Sequence, residues 1–447
     1  MDPSARPLRD WLARAGPTRA SALRAAFGLS QSTFQRRIAS LADDLLVVGR
    51  ARATTYALRR EVEGLRTPVH VFEGRPEGTV RRALTLHPVE PMGCWVESHC
   101  ADVPSDFHET DPRRPSADPA VDLPWFLLDL KPVGYLGRSW ARAHPDLGFG
   151  PDPSRWSGDA VLRYAALHGV DGPGAFLIGE AARDRVLEGA LSRAEIDRRA
   201  VCSAFPELVQ RAHEGWRGSS TPGGEQPKFA VTLRDADSER PCLVKFSPPR
   251  TGEVGARWAD LLLVEHLVHE LLAELGVSAS RSFVVDDSTR RHLVVERFDR
   301  SGAHGRVGVC SLASLDVHGV AGELRSWSAG VGALEVPVPD GALDQVAWLE
   351  AFGHAIANSD MHPGNLAFIL DGARVLGLAP VYDMLPMFHA PRFGEVLDAV
   401  YDPAAVWDRW PPGARDAARE LWSRVIAEPR VSDRYRELAR RQAAVLG

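Results

Sequence analysis

A short hairpin in the last fifth of the chain constrains the fold more than any other feature. Residues 366–370 and 373–378 are two apolar runs of strand length, and the Asp371-Gly372 pair between them is a favoured two-residue hairpin turn. With that turn at the centre of the hairpin, Asp360 and Asp383 fall opposite each other beyond its open end. The sequence therefore predicts that two carboxylates 23 positions apart meet in space.

Asn365 and His362 lie in the segment that leads into this hairpin. The same register places Asn365 opposite Leu378, beside the two carboxylates. Carboxylate and amide oxygens suit Mg²⁺, and an Asp that orients a hydroxyl completes a set used in phosphoryl transfer. We expect Asn365 and Asp383 to hold Mg²⁺ while Asp360 orients the acceptor. His362 would fix the loop by hydrogen bonding, and an acidic surface hairpin is the alternative.

A glycine-rich segment, residues 218–228, precedes an apolar strand further upstream. Backbone N–H groups at Gly223 and Gly224 can approach phosphate oxygens because glycine has no Cβ. The segment is not a Walker A loop, since Lys228 is followed by Phe229 rather than by Ser or Thr. An ordinary surface turn is the alternative interpretation.

Lysine is rare in this chain, which contains 53 Lys and Arg residues but only three lysines: Lys131, Lys228 and Lys245. Lys245 lies in the middle of an apolar strand, where a charge needs an anionic partner. A compact ammonium group suits the phosphates of ATP. Glu265 lies at the apolar boundary of a helix predicted over residues 260–275. Pairing with Lys245 and exposure to solvent are both open for this glutamate.

The first 60 residues form a basic module on an acidic body. Eleven arginines against four aspartates give this module a formal charge of +7, which leaves −13 for the rest of a chain whose total is −6. Three short helices and two strands, with Gly28 before the third helix, are typical of a winged helix-turn-helix. Ser30 or Ser32 would cap that helix. The predicted DNA-contacting residues are Gln31, Ser32, Thr33, Arg36, Arg37, Arg50 and Arg52, and a helical cap for protein contacts is the alternative.

Composition excludes several classes of protein. Apolar residues make up 45% and charged residues 25%, as in globular domains rather than in disordered or fibrous chains. The five cysteines form no CxxC pair, which weighs against a disulfide framework or a zinc site. No apolar run reaches the ~18 residues of a membrane span, and no signal-peptide core follows the N-terminus. We therefore expect a cytoplasmic protein with no membrane partner.

Together these segments resemble the HipA family of serine/threonine kinases, the toxins of bacterial toxin–antitoxin pairs. The matching segments are residues 123–138, the loop 220–228, the Lys245 strand, residues 296–300 (Glu-Arg-Phe-Asp-Arg), residues 360–365 and Tyr382-Asp383. The helix-turn-helix ahead of the kinase is similar to the YjjJ (HipH) branch of this family.

The resemblance implies a role for each matching residue of the cleft. Asp360 would be the catalytic residue, Asn365 and Asp383 the magnesium ligands, and Lys245 the phosphate contact. ATP and Mg²⁺ are the implied cofactors.

Other implied roles concern the adenine and the glycine loop. Glu296 and Phe298 would hold the adenine. Family members carry an autophosphorylated Ser in the glycine loop, and the matching position here is Thr221, with Ser220 adjacent. The change from Ser to Thr, beside Pro222, leaves self-inactivation open.

We therefore predict an α+β chain with a two-lobed protein-kinase-like fold behind a winged helix-turn-helix. Residues 1–62 would bind DNA, residues 63–300 would form the lobe with the glycine loop and the ATP lysine, and residues 301–447 the lobe with the catalytic loop and the metal-binding Asp. The expected activity is transfer of the γ-phosphate of ATP to Ser or Thr of a target protein, with the fused DNA-binding domain used for autoregulation. Implied partners are ATP, DNA, an antitoxin and a target such as a translation factor or an aminoacyl-tRNA synthetase.

Three alternatives remain open on the sequence. The chain could be a DNA-binding regulator whose kinase body senses ATP without catalysis. It could be a nuclease toxin that uses Asp360 and Asp383 with two metal ions. It could also be a kinase with a lipid or small-molecule acceptor.

Overall fold

The computed structural model of the chain describes residues 3–101, 103, 105–108, 122–189, 194–214, 226–236, 238–403 and 411–447. Within these ranges the N-terminal module has three helices and a three-stranded sheet of order β1-β3-β2. Its elements are α1 (Arg6–Ala15), β1 (Thr18–Arg19), α2 (Ala20–Ala26), α3 (Gln31–Ala39), β2 (Leu45–Val48) and β3 (Thr55–Leu58). Ser30 caps α3, because its hydroxyl accepts the N–H of Thr33, and Gly28 makes the preceding turn at φ 57°.

The next unit is built on a five-stranded antiparallel sheet of order β7-β6-β5-β4-β8. Its elements are β4 (Val69–Gly74), β5 (Val80–Pro88), β6 (Cys94–Ser98), β7 (Phe107–His108), α4 (Gly134–Ala143), α5 (Gly158–Leu167), β8 (Phe176–Ile178) and α6 (Glu180–Leu187). A 3-10 helix at Trp125–Leu130 precedes α4 and buries Phe126, Leu127, Leu128 and Leu130. We call this unit, residues 69–187, the middle unit.

A second five-stranded sheet, of order β12-β13-β11-β10-β9, follows in the chain. Its elements are β9 (Ala194–Asp197), α7 (Val201–Glu214), β10 (Lys228–Arg234), β11 (Glu239–Phe246), α8 (Glu253–Glu274), β12 (Ser282–Asp286) and β13 (Arg291–Glu296). The helix α8 starts seven residues earlier than predicted, and 16 of its 22 residues are buried. It is apolar around most of its circumference because it packs against the sheet on one side and against the helix Ala414–Ala427 on another.

The remaining residues form a mainly helical lobe with two small sheets. Its elements are β14 (Arg300–Ser301), β15 (Gly305–Arg306), β16 (Gly308–Ser311), α9 (Leu312–Leu315), α10 (Val320–Leu324), α11 (Trp327–Gly332), α12 (Ala342–Ala355), β17 (Ala367–Asp371), β18 (Arg374–Leu378), α13 (Ala414–Ala427) and α14 (Asp433–Val445). The strand pairs of the described residues are antiparallel apart from β9 and β10, and helices pack on these sheets, which confirms the predicted α+β class.

The register of the β17–β18 hairpin differs from the prediction. The turn residues are Gly372-Ala373, not Asp371-Gly372, and a β-bulge at Leu376 interrupts β18. Leu378 therefore pairs with Phe368, and the predicted pairing of Leu378 with Asn365 is wrong. The turn position and the bulge together shift the partner of Leu378 by three positions, from residue 365 to residue 368. Asp360 and Asp383 nevertheless line the same cleft.

The described residues form five apolar clusters, of which three are large. The largest joins the middle unit, α8 and the helical lobe in one continuous cluster. A second lies between α7 and the β9–β13 sheet, and a third fills the N-terminal module. Among the described residues, none of the helices has both the length and the apolar character needed to cross a bilayer.

A buried ionic network fastens the middle unit to the residues that follow β13. The Asp299 carboxylate accepts hydrogen bonds from the Arg297 and Arg300 side chains and from the Gly174 N–H. Asp171 accepts from the same two arginines at 2.8 and 3.3 Å. Burial alone would raise the pKa of Asp299, but the two guanidinium groups hold it well below its usual range.

We expect Asp299→Ala to lower the free energy of unfolding by about 3–5 kcal/mol, because two guanidinium groups lose a buried counter-ion. Since the Asp299 pKa is depressed in the folded protein, this stabilisation is present above about pH 4 and is lost as the pH falls. Urea unfolding of wild-type and variant at pH 7 and at about pH 2.5, below the unfolded-state pKa of an aspartate, measures both effects. Glu207→Ala, which removes an exposed pair with Arg211, should change the midpoint little. A wild-type midpoint in Asp299→Ala would show that the network adds nothing net.

Candidate active site

A cavity of about 720 Å³ lies between the middle unit, the β9–β13 sheet and the helical lobe. Six of the predicted site residues line it: Lys228, Lys245, Asp360, His362, Asn365 and Asp383. The fold therefore brings together side chains that span more than 150 positions of the chain. We call this cavity the cleft.

Lys245 on β11 is held between two carboxylates. Its Nζ donates to Glu265 Oε1 at 2.6 Å and Oε2 at 2.8 Å, and also to Asp383 Oδ1. The pairing with Glu265, which the sequence left open, is thus present. Burial alone would lower the Lys245 pKa, but Asp383 and Glu265 raise it above its usual value. The same lysine and Lys228 hold the Asp383 pKa well below its usual range, against the effect of burial.

Lys228 lies opposite Lys245 on the neighbouring strand. The two lysines are register partners of β10 and β11, so their ammonium groups reach the cleft from the same wall. Burial lowers the Lys228 pKa, and the charge of Lys245 adds to this effect while Asp383 opposes it. The ammonium groups of Lys228 and Lys245 place two positive charges on one wall of the cleft, near Asp383. This wall is therefore suited to bind an anion that carries several charges.

The segment between α12 and β17 is fixed by a set of local hydrogen bonds. Asn358 Oδ1 accepts the Asp360 N–H at 3.0 Å, and Asn365 Nδ2 donates to the Asp360 carbonyl at 2.9 Å. His362 Nδ1 accepts the Gly364 N–H at 3.1 Å, so this histidine binds the loop itself. The Asp360 side chain is left exposed at the cleft, and partial burial together with the charge of Asp383 raises its pKa, against His362.

Asp383 follows β18 in a strained backbone conformation. Its φ is +51°, a left-handed value that Asp tolerates better than most residues. The neighbouring Tyr382 hydroxyl donates to the Gly364 carbonyl at 2.6 Å, which ties this turn to the Asp360 loop. Backbone strain of this kind is maintained where surrounding contacts hold the backbone in place. The Tyr382 hydrogen bond is such a contact here.

Glu296 and Phe298 lie at the end of β13. The Glu296 carboxylate accepts from Arg240 Nη1 at 2.9 Å, and the Phe298 ring lies 5.7 Å from that of Tyr382, a residue that lines the cleft. Their assignment to the adenine stays a prediction. The glycine-loop positions Ser220, Thr221, Gly223 and Gly224 lie outside the described residues.

The oxygen donors of the cleft fit a magnesium ion. Because Asn365 uses its Nδ2 in the loop, its Oδ1 is the atom that can face a cation, next to the Asp383 carboxylate. Across the described residues there is no cluster of three or more His, Cys, Asp or Glu side chains that could cage a metal. Mg²⁺ does not need such a cage, since it is bound through one or two protein ligands together with substrate phosphates.

The middle unit supplies a wall of the cleft that sequence reasoning missed. Asp129, Lys131, Tyr135 and Arg138 line the cavity together with the lysines of the β9–β13 sheet. The one signal in the sequence was the rarity of lysine, because all three lysines of the chain line this cavity. Nothing in the local pattern around residue 131 indicated which cavity it would reach.

The predicted DNA-contacting residues fall into two groups by exposure. Gln31, Ser32, Arg36, Arg50 and Arg52 are exposed, whereas Thr33 and Arg37 are half-buried. The Thr33 hydroxyl accepts from the Ser30 side chain at 3.0 Å at the start of α3. The assignment of these residues to DNA stays a prediction.

The arrangement of charges matches that of protein kinases. A strand lysine paired with a helix glutamate, a catalytic-loop Asp and Asn, and a second Asp near the phosphates are the recurring parts of that fold. Here Lys245 on β11, Glu265 on α8 and Asp383 after β18 stand in this relation. The predicted kinase-like fold is confirmed.

Comparison with known proteins supports the same assignment. The chain matches the profile of the YjjJ-like toxin middle domain over residues 65–187 and that of the HipA-like C-terminal domain over residues 220–443. Toxin YjjJ of Escherichia coli strain K12 is 32% identical over 434 residues, which cover 95% of this chain and 94% of that protein.

Two solved structures are among the similar ones. A chain of the Shewanella oneidensis MR-1 complex of HipA, HipB and operator DNA has a TM-score of 0.48 at 15% identity, covering 84% of this chain and 95% of that one. The Helicobacter pylori proinflammatory kinase CtkA has a TM-score of 0.32 at 14% identity, covering 52% and 90%. On the identity and coverage of the YjjJ relative and the span of the HipA-like domain, the chain belongs to the HipA-like toxin family, in its YjjJ-like group.

Proposed function

We propose that this protein is a toxin kinase that transfers the γ-phosphate of ATP to a Ser or Thr hydroxyl of a target protein. The observation that carries this proposal is the ion-paired set Lys245, Glu265 and Asp383 in one cleft with Asp360. Positioning and electrostatic stabilisation supply most of the rate in such reactions, and this cleft provides both. Family membership and the kinase-like fold support the same activity.

Each residue of the cleft has a distinct part in the proposed reaction. Lys245 and Lys228 hold the phosphates from the sheet wall, and Glu265 keeps Lys245 in place. Asp360, exposed at the cleft and hydrogen-bonded through its backbone in the loop, orients the acceptor hydroxyl and accepts its proton. The Asp360 pKa is raised toward neutral pH, and a general base is most effective when its pKa is close to the pH at which the enzyme works.

Asn365 and Asp383 would hold Mg²⁺ against the phosphates. A bound Mg²⁺ supplies charge neutralisation at the phosphate oxygens. Asp383 accepts a hydrogen bond from Lys245, and Glu265 holds Lys245 through two further bonds. If Asp383 were a ligand of the cation, Glu265 would still keep Lys245 in place to contact the nucleotide.

We further propose that the N-terminal module binds DNA and thereby couples the toxin to its own regulation. Exposed Arg36 on α3 and exposed Arg50 and Arg52 in the β2–β3 hairpin have no carboxylate partner within the described ranges. Unpaired arginines at the two elements that a winged helix-turn-helix presents to DNA support phosphate binding. Cytoplasmic location, a protein target and a separate antitoxin complete this proposal.

Asp360→Asn should lower phosphate transfer by about 10²–10⁴-fold, because the general base is lost, while ATP still binds. The measurement is transfer of radiolabelled phosphate from ATP to cell-lysate proteins, followed by identification of the labelled residue. The matched control is Asp340→Asn, an exposed carboxylate outside the cleft. Full transfer in Asp360→Asn would contradict the proposal, and plasmid cleavage with Mg²⁺ but without ATP would favour the nuclease.

Lys245→Ala should weaken ATP binding by roughly 10- to 100-fold, as expected when a charge-assisted hydrogen bond of about 1.5–3 kcal/mol is removed. Isothermal titration calorimetry with MgATP measures the change. Arg234→Ala, at the far end of β10 with exposed partners, should bind ATP as the wild type does. Thermal unfolding of Lys245→Ala shows whether the fold is kept, and unchanged affinity in a folded variant would remove Lys245 from the nucleotide site.

The full-length protein should bind a fluorescent DNA duplex with an affinity that falls steeply between about 50 and 200 mM salt. Each phosphate contact removed should reduce the slope of log K against log salt by about 0.9, so Arg36→Ala and Arg50→Ala should each flatten it. Fluorescence anisotropy measures the slope, and Arg142→Ala on α4 is the control. Binding without salt dependence, or equal slopes in all variants, would contradict the proposed DNA-binding face.

A further inference from the structure

The cleft contains apolar side chains that the proposed roles of its residues leave unused. Trp258 on α8, and Leu385 and Met387 after Asp383, line the same cavity as Asp360. Trp258 and Leu385 are buried, whereas Met387 is half-buried. We call Trp258, Leu385 and Met387 the apolar pocket.

The segment that carries Met387 is fastened to the first half of α8. Arg257 Nη1 donates to the His389 carbonyl at 3.0 Å. Arg257 is the residue next to Trp258, and His389 comes two residues after Met387. Trp258 and Met387 therefore belong to neighbouring parts of the cavity wall.

The helix α8 runs alongside β13 in the same direction. In the first half of α8, the Ala259 carbonyl accepts from Arg291 Nη1 at 3.2 Å, and Arg291 is the first residue of β13. In its second half, His266 Nδ1 lies 3.0 Å from the Ser282 hydroxyl, and Ser282 pairs with Val295 near the end of β13. The start of α8 therefore lies near the start of β13.

This direction places the apolar pocket relative to the nucleotide. Lys245 pairs with Leu293 in the middle of β13, whereas Glu296, predicted to contact the adenine, is the last residue of that strand. Trp258 precedes Glu265, the partner of Lys245, by seven residues, which is two turns or roughly 10 Å toward the start of α8. The apolar pocket thus lies on the side of Lys245 away from Glu296.

The buried Trp258 indole N–H lacks a hydrogen-bond partner in the protein. The side chain is 9% exposed and lines the cavity. Among the described residues, none accepts a hydrogen bond from this N–H. A buried tryptophan usually has such an acceptor, because an unpaired polar group costs free energy when it is taken out of water. The acceptor is therefore expected from a molecule that binds in the cavity.

The apolar pocket and the charged part of the cleft suit different chemical groups. Lys228, Lys245 and Asp383 suit phosphates and Mg²⁺, whereas the pocket offers apolar surface and one N–H donor. A peptide segment has the matching groups, since its backbone carbonyls accept hydrogen bonds and its apolar side chains gain free energy on burial. Because Asp360 lines the same cavity, a peptide held in the pocket can present a nearby hydroxyl to this carboxylate.

We propose that the apolar pocket binds the acceptor and selects a protein substrate with a large apolar side chain close to the phosphorylated Ser or Thr. The Trp258 indole N–H donates to a backbone carbonyl of the same segment. This inference rests on the proposed kinase function and adds its substrate class.

A peptide library with a fixed central Ser or Thr tests this preference. One flanking position at a time is varied, and the full-length protein is assayed with radiolabelled ATP and Mg²⁺. At one position near the acceptor, Leu, Met or Phe should be favoured over Gly by roughly 10- to 100-fold in kcat/KM, as expected for burial of one large apolar side chain.

Two variants test the apolar surface and the N–H donor separately. Met387→Gln should reduce the preference for an apolar residue by roughly 3- to 10-fold, because part of the pocket becomes polar. Trp258→Phe keeps an aromatic ring but loses the N–H, so it should raise the KM for apolar and Gly peptides alike by roughly 2- to 10-fold. Met92→Gln, at an exposed methionine outside the cleft, is the matched control. Thermal unfolding shows whether Trp258→Phe keeps the fold.

The outcomes separate this inference from the proposed function. A wild-type protein that labels peptides without an apolar preference, or folded variants that keep the wild-type preference and KM, would overturn the pocket alone. A fall in MgATP affinity, measured by calorimetry, that matches the loss of transfer would assign the pocket to the adenine and also overturn it. Label in a lipid or a metabolite but in no peptide would reject the peptide acceptor. A protein that does not turn over ATP would lose the kinase assignment, and this inference with it.

Discussion

The cleft depends on one buried ammonium group, that of Lys245. Its partner Glu265 is fully buried, and the cost of taking such charges out of water is several kcal/mol for each ion. The cost is offset only when the geometry is good, which requires β11, α8 and the turn at Asp383 to be in place together. The wall of the cleft that carries Lys245 therefore forms only when three separate stretches of the chain have folded correctly.

Two left-handed residues bracket the segment that carries the reacting groups. Ala357, just after α12, has φ +63°, and Asp383, just after β18, has φ +51°. Between them, Tyr382 and Gly364 are joined by a hydrogen bond of 2.6 Å. Backbone strain of about 1–3 kcal/mol at each position is tolerated because the apolar core beneath, including Phe352 and Phe368, holds both turns. The left-handed backbone at Asp383 turns the chain, and the Asp383 carboxylate accepts a hydrogen bond from Lys245.

Local patterns in the sequence predicted individual helices, strands and caps. The hairpin register and the wall formed by the middle unit depend on contacts between distant residues. The Ser30 cap and the lysine in an apolar strand follow from residue type and period, so they could be read directly. The hairpin register could not, because a bulge depends on packing rather than on the turn pair alone. The middle-unit wall could not either, since Asp129 meets Ser311 across 182 positions.

The distribution of apolar cores explains why the ion pairs of Lys245 matter for the cleft. The middle unit shares one apolar core with α8 and the helical lobe, so the wall that carries Lys131 and the loop that carries Asp360 belong to the same packed body. The β9–β13 sheet has a core of its own with α7. Lys245 on β11 reaches across this division to Glu265 on α8 and to Asp383 of the helical lobe. These ion pairs therefore join the sheet that carries Lys228 and Lys245 to the body that carries Asp360, in addition to the packing of α8 on that sheet.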